Sequence, residues 1–177
     1  MSNNSIAVVV GNPKVNSRTL GVAERVAAAA ASAAGLATSG SIADEMSVIE
    51  LAELGPQLFD WSSTEVKAAV ATLSSSTLAV IATPVYKATY TGLLKSFLDW
   101  FGTTGLSGVT VVPVMVGGSP GHALAVEVHL RPLLVEIGAT VPTRGLFVLE
   151  QELDQLDATI ATWLGQAGPL LANSVRR

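Results

Sequence analysis

Ile6-Ala7-Val8-Val9-Val10-Gly11-Asn12-Pro13-Lys14-Val15-Asn16-Ser17-Arg18-Thr19-Leu20 is the stretch whose reading decides the fold. Its first five residues are a strand-length run dominated by β-branched side chains, and Gly11-Asn12-Pro13 stops it. A helix is expected to follow over Thr19–Ala34, capped by Ser17 or a neighbour and ended by Gly35. The run is apolar throughout rather than alternating, so both faces of this strand should be covered, as in a parallel sheet.

Working outward, the same alternation repeats. Met46–Leu51 reads as a weaker second strand, and Ser62-Ser63-Thr64-Glu65 as a helix start with Val66, Val70 and Leu73 on its apolar face. Thr77–Thr83 is a third strand, stopped by Pro84, with a helix expected over Tyr90–Phe101. Val109–Val116 is a buried fourth strand ending at Gly117-Gly118-Ser119-Pro120-Gly121. Ala123–Ile137 has a helical pattern in which Pro132 should cause a kink or break. Gly145–Leu149 and Leu153–Leu171 supply the last strand and helix. Five strands and five helices in alternation predict an α/β, flavodoxin-like doubly wound parallel sheet of order 2-1-3-4-5. With no linker or repeat, residues 1–177 are expected to form a single domain.

Composition narrows what such a domain can do. Only 14% of residues are charged against 49% hydrophobic, where an ordinary soluble domain carries about 25% charged residues. A membrane span does not explain the deficit. The charge-free stretches Ala68–Tyr86 and Phe101–Val126 contain Ser74-Ser75-Ser76 and Pro84, or six Gly and two Pro, where a spanning helix needs roughly 20 mainly apolar residues. Ten basic residues against fourteen acidic ones, scattered along the chain, leave no footprint for nucleic acid or an anionic membrane. Without cysteine there is no disulfide, thiolate nucleophile or Cys-ligated metal. Met1-Ser2-Asn3-Asn4-Ser5 lacks the features of a secretory signal, so a cytoplasmic protein is expected.

In an open parallel sheet the ligand crevice lies at the carboxyl ends of the strands, near the switch point. Three loops fall there. In Gly11–Thr19, free amides at a helix start attract an anion, Asn12, Ser17 and Thr19 add donors, and Lys14 or Arg18 adds charge. This reads as a phosphate site, or more plainly as a polar turn with an ordinary cap. It is neither a Gly-x-Gly-x-x-Gly loop nor a Walker loop. In the second loop, Pro84, Val85, Tyr86 and Lys87 suit one wall for a flat heteroaromatic ligand, although Tyr86 could equally pack on the next helix and Lys87 be a solvated charge. The third, Gly117-Gly118-Ser119-Pro120-Gly121-His122, allows close backbone approach or is simply a turn with His122 at a helix start. His122 and His129 have no accompanying carboxylates at ligand-like spacing, so no metal site is expected.

Together these loops resemble the NADPH-dependent FMN reductase family. Gly11-Asn12-Pro13-Lys14…Ser17…Thr19 is similar to that family's Gly-Ser-Pro-Arg…Ser…Thr pattern, and Pro84-Val85-Tyr86-Lys87-Ala88…Gly92-Leu93-Leu94-Lys95…Asp99 to its flavin-contact loop and following helix. The stretch from Thr83 to Leu133 most resembles the branch that supplies reduced flavin to alkanesulfonate monooxygenases. The resemblance spans roughly Ile6–Leu149 and implies hydride transfer from NADPH or NADH to flavin N5, with reduced FMN passing to a partner monooxygenase. It implies that Asn12, Lys14, Ser17, Arg18 and Thr19 hold the FMN phosphate, and that Pro84, Val85, Tyr86, Lys87, Gly117, Gly118 and Ser119 line the ring. No side chain is implied as catalytic acid or base, because the cofactor carries the chemistry.

Three positions depart from the pattern, the first being Asn12 in place of Ser. Lys14 replaces Arg, which keeps the charge and loses the planar fork. Val128, beside His129, stands where that branch carries an aromatic residue that looks like the source of a helix bulge at a subunit interface. The alternatives are an FMN-containing quinone or azo reductase that keeps its flavin, and a flavodoxin-like electron carrier with no nicotinamide site. Such carriers usually have strongly acidic surfaces, whereas this chain has a net charge of −4 and a cationic first loop. A sheet covered on both faces does not wholly explain why Leu93–Phe101 and Ala123–Ile137 are apolar over so much of their circumference, which predicts a homodimer or homotetramer built through these helices.

Overall fold

The computed structural model describes residues 5–36 and 46–175; Met1–Asn4, on which the reading of the amino-terminal leader rests, lie outside them. Five parallel strands form one sheet in the order β2-β1-β3-β4-β5. They are β1 (Ile6–Val10), β2 (Met46–Glu50), β3 (Leu78–Pro84), β4 (Thr110–Gly117) and β5 (Leu146–Leu149). The expected order is therefore observed. β1, β3 and β4 lie inside the sheet, which is why their residues are buried on both faces.

One face carries α1 (Arg18–Ala34) and α6 (Leu156–Val175). Ser17 caps α1 by accepting a hydrogen bond from the Leu20 amide, and Gly35, at φ +71°, ends it. Ala23, Ala27, Ala30 and Ala31 are buried here, small enough to let α1 lie close against the sheet and α6. The opposite face carries the short α2 (Leu51–Leu54), α3 (Thr64–Ser74), α4 (Gly92–Leu98) and α5 (Arg131–Glu136) over a core that includes Phe97, Leu98 and Met115.

Two helices differ from the sequence expectation. α4 is shorter than Tyr90–Phe101 because the Thr91 side chain caps it, accepting from the Leu94 amide. Its apolar surplus is absorbed by the chain itself, since Leu94, Phe97 and Leu98 are all buried. The segment expected to be helical over Ala123–Ile137, with a kink or break at Pro132, follows a 3-10 turn (Pro120–His122) and is helical, but as a π turn (Val126–Leu130) that runs into α5. Proline at 132 has no N–H and its ring crowds the carbonyl four residues back. A wider turn, with the Arg131 amide reaching the Val126 carbonyl, relieves that crowding, so the bulge forms although Val128 is not aromatic. Glu127 accepts from the Gly145 amide, and Arg131 donates to the Thr143 and Val141 carbonyls, which ties the bulge to the entry of β5. Leu124, Val128 and Val135 stay exposed on its outer side.

Candidate functional site

The register of the sheet assembles the site. Val10 pairs with Glu50 of β2 and Ala82 of β3, and Gly117 of β4 pairs with Leu149 of β5. Every loop that leaves a strand end therefore starts from the same edge, with the β1–α1 loop between those of β2 and β3.

Gly11 continues β1, donating its amide to Ala82 at 2.8 Å. A Cβ at this position would sit 2.6 Å from the Leu94 Cβ, so a glycine is required where the loop crosses α4. Asn12 then folds the loop onto α1. Its Oδ1 accepts from the Lys14 amide at 2.9 Å and its Nδ2 donates to Thr19 Oγ at 3.0 Å. Asn16, in the left-handed region at φ +50°, turns the chain into the helix, and its amide donates to Glu50 Oε2 at 3.0 Å. Ser17 and Thr19 are buried, and their hydroxyl oxygens act as acceptors in these bonds. Each keeps its own proton to donate. The first amides of α1 have no intrahelical acceptor.

These residues surround a cavity of about 280 Å³. Of the positions singled out in the sequence, Asn12, Lys14, Ser17, Arg18, Thr19, Pro84 and Tyr86 line it. Asn16, Val116 and Glu150, which sequence reasoning missed, line it too. Val85, Lys87, Gly117, Gly118 and Ser119 lie outside that lining. Val85 is half-buried against the core, and Gly117 is pressed between its side chain and the Phe147 ring, where an added Cβ would come within 2.8 Å of ring carbons. Ser119 accepts from the Gly121 amide to start the 3-10 turn. Lys87 and Ala88 form a tight reversal, both at positive φ (51° and 67°), closed by paired hydrogen bonds between Tyr86 and Thr89. That reversal holds Tyr86, 51% exposed, at the rim of the cavity. His122 is half-buried in the 3-10 turn and His129 is exposed in the π turn. Two larger cavities of about 480 Å³, one along α6 and one at the amino ends of β3 and β4, contain none of the candidate residues.

The electrostatics are balanced. Arg18 Nη2 lies 2.6 Å from Glu150 Oε1, and Glu50 accepts from the Asn16 amide, so one of the two cations of the loop is already paired with a carboxylate. On α4, Asp99 accepts from Lys95 and holds its ammonium above the usual range. Chemically, two hydroxyl protons, free helix-start amides and two cations offer an oxyanion site beside a proline and tyrosine wall.

A model of the NADPH-dependent FMN reductase family matches residues 4–154. The chain belongs to that family. An FMN reductase (NADPH) from Pseudomonas putida is 35% identical over 88 residues, which is 50% of this chain and 45% of that protein. The chain thus spans about half the length of the curated relatives that it matches first. Solved structures align over more of it. An oxidoreductase from Corynebacterium diphtheriae is 31% identical, with 99% of this chain and 98% of that one covered and a TM-score of 0.77. An NADH:FMN oxidoreductase in its apo form is 30% identical, with 92% and 90% covered and a TM-score of 0.69. Within this FMN reductase family chain, the loop with the family-like pattern is the one that builds the oxyanion side of the cavity. Among the described residues no helix is long and apolar enough to cross a membrane.

Proposed function

We propose that the protein reduces FMN with NADPH or NADH in the cytoplasm and supplies the reduced flavin to a partner flavin-dependent monooxygenase. The observation that carries this reading is the single cavity in which the oxyanion loop Asn12–Thr19 meets Pro84 and Tyr86, in a chain of the FMN reductase family. The residues suit the group: buried Ser17 and Thr19 hydroxyls keep protons for a phosphate, and the wall beside them is rigid and aromatic.

FMN, when bound, supplies the hydride acceptor for the reduced nicotinamide. The chain binds and orients. Asn12, Lys14, Ser17, Arg18 and Thr19 hold the phosphate, the last two also through amides at the start of α1. Pro84, Val85, Tyr86 and Lys87 wall the ring from the β3 side, and Gly117, Gly118 and Ser119 from the β4 side, where the missing side chains let backbone approach. No side chain is assigned a proton transfer. Relatives described as NADPH-dependent and as NADH-dependent support both nucleotides as donors. The exposed Leu124, Val128 and Val135 support a homodimer or homotetramer, and sedimentation as a monomer at micromolar concentration would defeat it.

Steady-state kinetics test the reaction. NADPH or NADH oxidation by purified protein should rise and saturate with added free FMN. Oxidation independent of free FMN, by a yellow protein that passes electrons to a quinone or azo dye, would instead identify a reductase that retains its flavin. A bound flavin bleached by dithionite but by neither nucleotide would identify an electron carrier.

A further inference from the structure

We propose that Glu150 is a positioning residue that sets the affinity of the phosphate site, by competing with the flavin phosphate for Arg18 and so keeping FMN a dissociable substrate. The inference rests on the functional reading above and concerns how tightly that site holds its ligand.

Arg18 and Glu150 line the same cavity as Ser17 and Thr19, and their side chains pair at 2.6 Å across it. Arg18 is the guanidinium whose fork suits a phosphate, yet here it is already engaged by a carboxylate. Glu150 reaches it because it follows directly on β5, whose Leu149 pairs with Gly117. On the other side of the loop Glu50 accepts from the Asn16 amide. The guanidinium of an anion site is thus already matched by a carboxylate, where a site built for permanent retention would leave that charge unopposed.

The pair can exchange. Both side chains are substantially open to solvent, 69% for Arg18 and 43% for Glu150, and exposed ion pairs hold weakly. An arriving phosphate can take Arg18 from Glu150, but it does so beside a carboxylate that repels it. When the ligand leaves, Glu150 recaptures the guanidinium. The carboxylate therefore lowers affinity for the phosphorylated flavin and has no such effect on a flavin without phosphate.

Titration of flavin fluorescence with the wild-type chain, Glu150→Gln, Glu150→Asp, Arg18→Gln and the double variant Arg18→Gln/Glu150→Gln tests this, using FMN and riboflavin in parallel. Removing one charge at about 5 Å from a phosphate in a largely aqueous setting corresponds to about a tenfold effect. Glu150→Gln should bind FMN about tenfold more tightly, keep riboflavin affinity within about twofold, and lose most of its advantage at about 1 M salt. It should also carry FMN through gel filtration when the wild-type chain does not. Glu150→Asp should stay near wild type. In the Arg18→Gln background the gain from Glu150→Gln should shrink. Unchanged or weaker FMN binding by Glu150→Gln, or an equal change for riboflavin, overturns the inference while leaving the flavin site intact. Failure of every form, wild type included, to bind either flavin overturns the functional reading and this inference with it.

Discussion

Thr91 donates its hydroxyl proton to the carbonyl oxygen of Gly11 at 2.6 Å. The Thr91 hydroxyl oxygen itself accepts from the Leu94 amide at 3.1 Å, so one side chain caps α4 and pins the β1–α1 loop to it. Thr91 is buried, and nothing replaces either bond when the hydroxyl is removed. Thr91→Val should cost about 2–3 kcal/mol, combining a lost cap with a buried carbonyl left unpaired. Thr91→Ser should recover most of it. Urea denaturation of the three proteins measures the difference, and a Thr91→Val chain as stable as wild type would show that the loop is held elsewhere.

Ala88 sits in the left-handed region at φ +67° beside Lys87 at φ +51°. Residues with a Cβ pay about 1–2 kcal/mol there, and a tight reversal with both central residues at positive φ favours Asn-Gly. Ala88→Gly gains freedom in the unfolded chain, which offsets about 0.4–1 kcal/mol. A net stabilisation of about 0.5–1 kcal/mol is expected, visible as a rise in Tm of roughly 1–4 °C. A fall in Tm would contradict the strain.

Lys14 is exposed and lines the cavity. Lys14→Ala should therefore leave stability within about 0.5 kcal/mol and weaken FMN binding several-fold, on the order of 1 kcal/mol for one exposed charge contact. Riboflavin binding should not change. Isothermal titration with both flavins checks this, and equal losses for the two would move Lys14 from the phosphate to the ring.

Arg131 donates to the carbonyls of Val141 and Thr143 together. A single ammonium cannot reproduce that fork. Arg131→Ala should lose about 2–3 kcal/mol, the range for hydrogen bonds to a charged group, and Arg131→Lys should restore less than half. Equilibrium unfolding of both variants separates this from a simple charge effect, in which lysine would rescue fully.

Most of the sheet was legible in the chain. Ile6–Val10 and Val109–Val116 are apolar without alternation, and only a strand covered on both faces needs that. The Asn12, Ser17 and Thr19 pattern was legible as well, since a strand end, a polar turn and a helix cap are local. Helix ends were less so: α4 begins where Thr91 caps it, and hydrophobic spacing alone extends through Tyr90 and Phe101. Pro132 announced a disturbance, expected as a kink or break, and the structure makes it a π turn. A kink and a π turn answer the same missing amide, and the choice goes with contacts to residues 141–145 that lie beyond the helix.

Alternating strands and helices, with polar loops after the first, third and fourth strands, were enough to bring Asn12, Ser17, Thr19, Pro84 and Tyr86 to one cavity at one edge of the sheet. The charge of that site was not readable in the same way. Glu50 and Glu150 look like solvated acids in the sequence, and each becomes part of the cavity's surroundings only because strand register sets the end of β2 beside Val10 and the end of β5 beside Gly117. Local sequence chooses which donors a loop carries. The field they work in is summed over groups brought together through space, and pairing between distant strands alone decides which groups those are.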